Sequence, residues 1–240
     1  MEYSIYFNPR VRDRLSDAPA EDSSPIEMHR HMDGYHPTPL LDLPRVARRL
    51  GIGRALLKDE SSRFGLPSFK ILGASWATVF AVRRFWIPDD SGPLAPSELA
   101  ERIPSPGTKT IVAATDGNHG RGVARMAGIL RVGCRIFVPR GTAKARIDGI
   151  ASEGAAVEVI DGSYEDAVRH AAAQANDDVL VISDTSWPGY EDIPRQVTAG
   201  YSTLFEEIDA ALERAGGLSP SLVALQAGVG SFAAAGLLRY

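Results

Sequence analysis

From about residue 109 onward, short apolar runs rich in β-branched residues alternate with longer segments whose apolar positions recur at helical spacing. The runs fall at 111–115, 135–139, 157–160 and 179–183, and the helical segments between them at 120–130, 143–152 and 164–175. The last helix opens with Ser163 followed three places later by Asp166, a capping-box pattern. Continuous short strands alternating with helices predict a parallel sheet covered on both faces. A long amphipathic helix is predicted next, with Ile193, Val197, Tyr201, Leu204, Phe205, Ile208 and Leu212 on one side. One more strand (222–226) and an alanine-rich helix complete the chain.

The N-terminal third is less regular. Residues 17–25 read as loop. Leu43, Val46, Ala47 and Leu50 keep helical spacing, with Pro44 suited to a first turn and Gly51 to a C-terminal cap. Residues 55–57 form a short strand candidate. From Lys70, the positions Ile71, Leu72, Ser75, Trp76, Val79 and Phe80 predict a helix that stops before Pro88. Residues 88–108 hold five prolines and read as a connector with room for one short helix.

Composition narrows the class of protein. The 240 residues are 44% apolar and 23% charged, ordinary for a globular chain, and the net charge of -4 argues against nucleic acid or an anionic membrane as partner. The first residues lack the basic and apolar blocks of a signal peptide, and no apolar stretch is long enough to span a bilayer, so a cytoplasmic protein is expected. A single cysteine, Cys134, excludes an internal disulfide framework, and the five histidines show no metal-ligand spacing.

Three segments carry candidate chemistry. Lys70 sits between Phe69 and Ile71 at the head of an apolar helix; it reads either as a lysine snorkelling off an amphipathic helix or as a partly buried amine, a nucleophile toward aldehydes when neutral. The loop Thr115-Asp116-Gly117-Asn118-His119-Gly120 joins a strand to a helix, where ligands collect in open parallel sheets; Asp116 and Asn118 would equally serve as helix caps. Gly228-Val229-Gly230-Ser231 is a second strand-to-helix loop, able to cradle an anion on its N–H groups or simply to pack a helix tightly.

Together these segments resemble the fold-type II pyridoxal-phosphate enzymes, as do Pro37-Thr38-Pro39-Leu40, Lys58-Asp59-Glu60 and Ser68-Phe69-Lys70. Within that superfamily the chain is similar to the diaminopropionate ammonia-lyases, in Arg63-Phe64-Gly65-Leu66, in 115–124, in Asp184-Thr185-Ser186-Trp187-Pro188-Gly189-Tyr190 and in Gln226-Ala227-Gly228-Val229-Gly230. The resemblance covers residue 35 to the end, and Asp116 discriminates it, since dehydratases usually carry serine there.

The resemblance implies an α/β protein of fold-type II architecture with two parallel-sheet, three-layer domains. Residues 1–87 with 195–240 would form the larger, cofactor-binding domain and 88–194 the smaller. It implies pyridoxal 5'-phosphate as cofactor, held by Lys70, with Asn118 at its phenolic oxygen and Gly228, Val229, Gly230 and Ser231 at its phosphate. Catalytic roles would fall to Lys70, Asp116 and Asp184, and substrate binding to Thr115, Asp116, Gly117, His119 and Asp184, with Asp184 holding the β-ammonium. The expected reaction is α,β-elimination of ammonia from 2,3-diaminopropionate to give pyruvate, in a homodimer. A serine/threonine dehydratase-type lyase and a non-catalytic remnant of the fold are the alternatives. One departure stands out: the superfamily's larger domain continues well past its phosphate loop, whereas this sequence ends at Tyr240. The larger domain is therefore expected to be incomplete here.

Overall fold

A computed structural model describes residues 24–89 and 95–240. The first residues and most of the loop expected at 17–25 lie outside the described residues. Its centre is a four-stranded parallel sheet in the order β5-β4-β3-β6, from β3 (Thr110–Ala114), β4 (Gly133–Pro139), β5 (Ala156–Ile160) and β6 (Val179–Val181). The crossovers are α5 (Asn118–Ile129), α6 (Lys144–Ala151) and α7 (Tyr164–Ala172). The predicted capping box forms: Ser163 Oγ accepts from Asp166 N–H while the Asp166 carboxylate accepts from Ser163 N–H.

The central strand β3 shows why an apolar run is needed at the middle of the sheet. Ile111 and Ala113 face one core, shared with Ile136 and Val138 of β4 and with Val123, Met126 and Ala127 of α5. Val112 and Ala114 face a second, smaller core with Phe137 of β4 and with Ala167 and Ala171 of α7. A strand covered on both faces has no position at which a polar side chain meets water.

Around this sheet lie α1 (Pro25–Arg30), α2 (Pro44–Leu50), α3 (Lys70–Phe85), α4 (Pro96–Ala100), α8 (Asp192–Gly200), α9 (Ser202–Arg214) and α10 (Ser231–Arg239). Gly51 caps α2 in the left-handed conformation at φ 68°, and α4 is the short helix foreseen in the connector. The largest core runs unbroken from α3 through α5 and α8 to the sheet. His29, for which the sequence offered no role, is fully buried and ties α1 to α3 and α9. Its Nε2 donates to the Leu72 carbonyl, 3.1 Å away, and its Nδ1 lies 2.7 Å from Thr203 Oγ1.

Two expectations are corrected. The single long helix after residue 192 is two, α8 and α9, meeting at Tyr201. Bonds from Tyr201 N–H to the Thr198 carbonyl and from Leu204 N–H to the Tyr201 carbonyl tighten the junction. The bend follows the crossing of α8 over α3, where a Cβ on Gly200 would stand 2.5 Å from the Leu72 carbonyl oxygen and one on Gly73 2.6 Å from that of Val197. Residues 222–226 form no regular element and join no ladder among the described residues, and Leu222 is 85% exposed. Apolar patterning makes a strand only where a neighbour supplies hydrogen bonds. Beside the parallel sheet the described residues hold an antiparallel pair, β1 (Leu40–Asp42) and β2 (Leu56–Lys58).

Candidate active site

Lys70 is the first residue of α3, and its ammonium donates to Asp184 Oδ2 at 2.7 Å. The loop before it turns sharply: Phe64 at φ 52° and Gly65 at φ 72° are the corners of a two-residue turn closed by Leu66 N–H to the Arg63 carbonyl. Arg63 anchors that turn through a buried network. Its guanidinium donates to Glu207 Oε1 and Oε2, each at 2.7 Å, and to Glu60, while Lys58 reaches Glu207 at 2.6 Å. The approach to Lys70 is thus bolted to α9.

The carboxyl edge of the sheet supplies the opposite wall. Thr115 Oγ1 accepts from Gly117 N–H at 3.0 Å and Gly120 N–H at 3.2 Å, so threonine caps the start of α5. Neither Asp116 nor Asn118 is used as a cap, and both face outward from the loop. Asp116 lies beside Arg146 of α6, whose Nη1 is 3.1 Å from the Asp116 carbonyl and 3.4 Å from its carboxylate. The Asn118 amide has no hydrogen-bond partner among the described residues.

Asp184 follows β6 and is 6% exposed. Its backbone is fixed on two sides: Ser231 Oγ donates to the Asp184 carbonyl at 3.1 Å, and Tyr190 Oη accepts from Ser183 N–H while donating to the Val181 carbonyl. Burial opposes ionisation of Asp184, but the Lys70 ammonium in contact with it outweighs that and holds the carboxyl below the usual range. His119 is 3% exposed; its Nε2 donates to the Ile182 carbonyl at 2.8 Å, which fixes the tautomer. Burial holds the ring below its ordinary pKa and therefore neutral.

These groups line one cavity of about 670 Å³, together with Gly228 and Val229. Of the expected residues the structure gathers Lys70, Thr115, Asp116, Gly117, Asn118, His119, Asp184, Gly228 and Val229 there. Gly230 and Ser231 stand just behind the lining, at the start of α10. Besides Pro139 at the end of β4, two further lining residues, Arg146 and Tyr164, escaped the sequence reading. Burial, then the charge of Asp184, pushes the Tyr164 phenol up to about 12. Both sit in the first turn of helices that follow sheet strands, and the rule that singled out the Asp116 loop, applied to every such junction, would have found them.

The residues fit pyridoxal phosphate. A lysine amine reaches the cavity, an uncapped amide stands beside it, and a Cβ on Gly228 or Gly230 would meet nothing within 4 Å, which leaves the N–H groups at the α10 terminus open to an anion. The cavity has the size of small-molecule sites.

A parallel sheet with a lysine, a polar loop and a glycine loop around one cavity defines a class, and residues 31–240 match the family of pyridoxal-phosphate dependent enzymes. The chain belongs to that family. Within it, the chain is 40% identical over 217 residues to the diaminopropionate ammonia-lyase of Escherichia coli K12, a match covering 89% of this chain and 53% of the relative. The crystal structure of the Escherichia coli diaminopropionate ammonia-lyase in complex with D-serine superposes with a TM-score of 0.80 at 38% identity, covering 87% of this chain and 53% of that one. The processed threonine deaminase isoform 2 of Solanum lycopersicum shares the fold alone, with a TM-score of 0.58 at 23% identity over 79% of this chain and 43% of that one. The chain spans about half the length of the curated relatives it matches.

Proposed function

We propose that the protein catalyses pyridoxal-phosphate-dependent α,β-elimination of ammonia from 2,3-diaminopropionate, releasing pyruvate and ammonia. The observation that carries this reading is a cavity holding one lysine amine and two carboxylates, Asp184 against the lysine and Asp116 at the rim. Pyridoxal phosphate, when bound, supplies a sink for the electron pair left when the α-proton is removed. Lys70 would hold it through Nζ, Asn118 would donate to its phenolic oxygen, and the N–H groups of Gly228 through Ser231 would hold its phosphate.

Once released from the cofactor, Lys70 Nζ takes the α-proton. Asp116 serves as a second base, so that both enantiomers can react. The N–H groups of the 115–119 loop take the substrate carboxylate. Engaging the Lys70 amine strips Asp184 of its partner, and a buried carboxylate then requires another cation. The β-ammonium of the substrate supplies it. When the Cβ–N bond breaks, its electron pair leaves with nitrogen as neutral ammonia, so no proton donor is needed at the leaving group. Hydroxide, by contrast, needs one. That difference favours the diamine over serine in a site whose β-side group is an ionised carboxylate.

We infer as well a division at residues 88–194, a homodimer, since C2 pairs are the commonest assembly, and a cytoplasmic location. No helix among the described residues is long and apolar enough to cross a membrane. The decisive test is pyruvate release from 2,3-diaminopropionate by the full-length protein loaded with pyridoxal phosphate, with borohydride reduction and peptide mapping alongside. The expected result is turnover of the diamine and a reduced adduct at Lys70. Turnover of serine or threonine but not the diamine would sink the reading.

A further inference from the structure

We propose that His119 Nδ1 and Asp184 Oδ2 together form a two-acceptor seat for the substrate's second ammonium, which makes His119 the residue that selects a β-amino over a β-hydroxyl substrate. This deepens the elimination reading and rests on it. The starting observation is an orphan: His119 Nδ1 is buried and has no hydrogen-bond partner. Its tautomer is settled by the Ile182 carbonyl, which can only accept, so the proton sits on Nε2 and Nδ1 carries a bare lone pair. Nδ1 lies 4.0 Å from Asp184 Oδ2, and both residues line the cavity.

Two acceptors 4.0 Å apart repel, and an unpaired buried acceptor costs free energy. One nitrogen placed about 2.8 Å from each would meet both at an angle of about 90°, close to the spread of two N–H bonds of an ammonium. Lys70 Nζ already satisfies Asp184 from one side without reaching Nδ1. An ammonium has three donors and can bond both acceptors. A hydroxyl has a single proton, so it bonds one and leaves the other orphaned. Burial keeps the imidazole neutral, which preserves the lone pair and avoids repulsion of the incoming cation.

Two substitutions separate this role from packing. In His119→Gln the side-chain amide reaches the Ile182 carbonyl as Nε2 does but presents no acceptor at the Nδ1 position. In His119→Asn an oxygen stands near Nδ1 while the Ile182 bond is lost. In the full-length holoenzyme, His119→Gln is expected to lower kcat/KM for 2,3-diaminopropionate about 10- to 100-fold, mainly through KM, the size of losing a charged hydrogen bond. Serine turnover should change less than about threefold, and His119→Asn should keep part of the diamine preference. Equal losses on both substrates, or no loss on the diamine, would overturn the proposal. A wild-type enzyme that never turns over the diamine would remove the parent reading too, so the two failures are distinct. A measurement independent of the variants' folding is the ring ¹⁵N shift of His119 in the non-reacting Lys70→Ala protein. It should move when diaminopropionate is added and stay when serine is added; an Nδ1 signal indifferent to the diamine overturns the seat.

Discussion

Replacing Glu207 by glutamine tests whether the buried charge network truly holds the approach to Lys70. Glu207 accepts from Arg63 Nη1 and Nη2 at 2.7 Å, Lys58 Nζ at 2.6 Å, Tyr35 Oη at 3.0 Å and Thr38 N–H at 3.2 Å. With Lys58 and Arg63 against Glu60 and Glu207 the cluster is neutral, two positive against two negative; Glu207→Gln leaves it at +1. The side chains of Arg63 and Glu207 are 1% and 2% exposed, so water cannot screen the surplus. The new amide also turns an N–H toward donors. Removing one partner of a buried pair costs about 3–5 kcal/mol, a large part of the roughly 5–15 kcal/mol that holds a domain folded. Urea unfolding at pH 7 reads this directly. The exposed Arg54–Asp42 pair is the control, and Asp42→Asn should cost less than about 1 kcal/mol. The pH dependence has a definite sign. Burial pushes Glu207 up, but Arg63 and Lys58 outweigh it and hold the carboxyl below its ordinary 4.5. A depressed pKa gives stability that is present above 4.5 and lost as pH falls through the folded value. The gap between wild type and Glu207→Gln should therefore narrow in acid. A variant within about 1 kcal/mol of wild type at pH 7, with no narrowing, would refute the network's role.

Two further outcomes follow from packing. Gly200→Ala should destabilise by about 1–3 kcal/mol in urea, because its Cβ would meet the Leu72 carbonyl oxygen at 2.5 Å where backbone must move; an unchanged midpoint would show that the α3–α8 crossing is not tight. Cys134 should react slowly with iodoacetamide at pH 8 until the chain is unfolded, since burial pushes its thiol up to about 12 and leaves little thiolate; equal rates in native and unfolded protein would contradict that burial.

Much of the architecture was legible because it rests on local periodicity. The β3 run is apolar from Ile111 to Ala114 because both of its faces are covered, and Ser163 with Asp166 announces the start of α7 within four residues. What stayed hidden depends on distance. The pairing of Arg63 with Glu207 joins residues 144 positions apart, and nothing near either one signals it. The break at Tyr201 comes from α3 pressing on Gly200, a contact with no trace in the periodicity of α8 and α9. The loop motif drew attention to 115–120, but which of these residues caps the helix could be sorted only in three dimensions. Thr115 turned out to be the cap, a duty that neither Asp116 nor Asn118 takes, and His119 was turned inward toward Asp184. The strand expected at 222–226 failed for a related reason, since a ladder needs a neighbour that pattern alone does not supply.

The position of Lys70 is itself set by a glycine on another helix, and this can be tested apart from stability. A Cβ on Gly122 of α5 would stand 3.1 Å from both the Ile71 Cα and the Ala74 Cβ, and 3.4 Å from the Ile71 nitrogen. These atoms belong to the first turn of α3, immediately after Lys70. In Gly122→Ala the turn must yield by a few tenths of an ångström, and the lysine moves with it. The helical preference of alanine over glycine, about 1 kcal/mol, offsets much of the packing cost, so the unfolding free energy should change little. Reactivity should not be spared in the same way, because the amine that would hold the cofactor is displaced from its place against Asp184, and small misplacements of a reacting group are costly in rate. The rate of borohydride-trapped labelling at Lys70 should fall several-fold while the urea midpoint holds. If labelling is unchanged, α5 does not set the lysine's position; if stability collapses instead, the close approach serves the core and not the site.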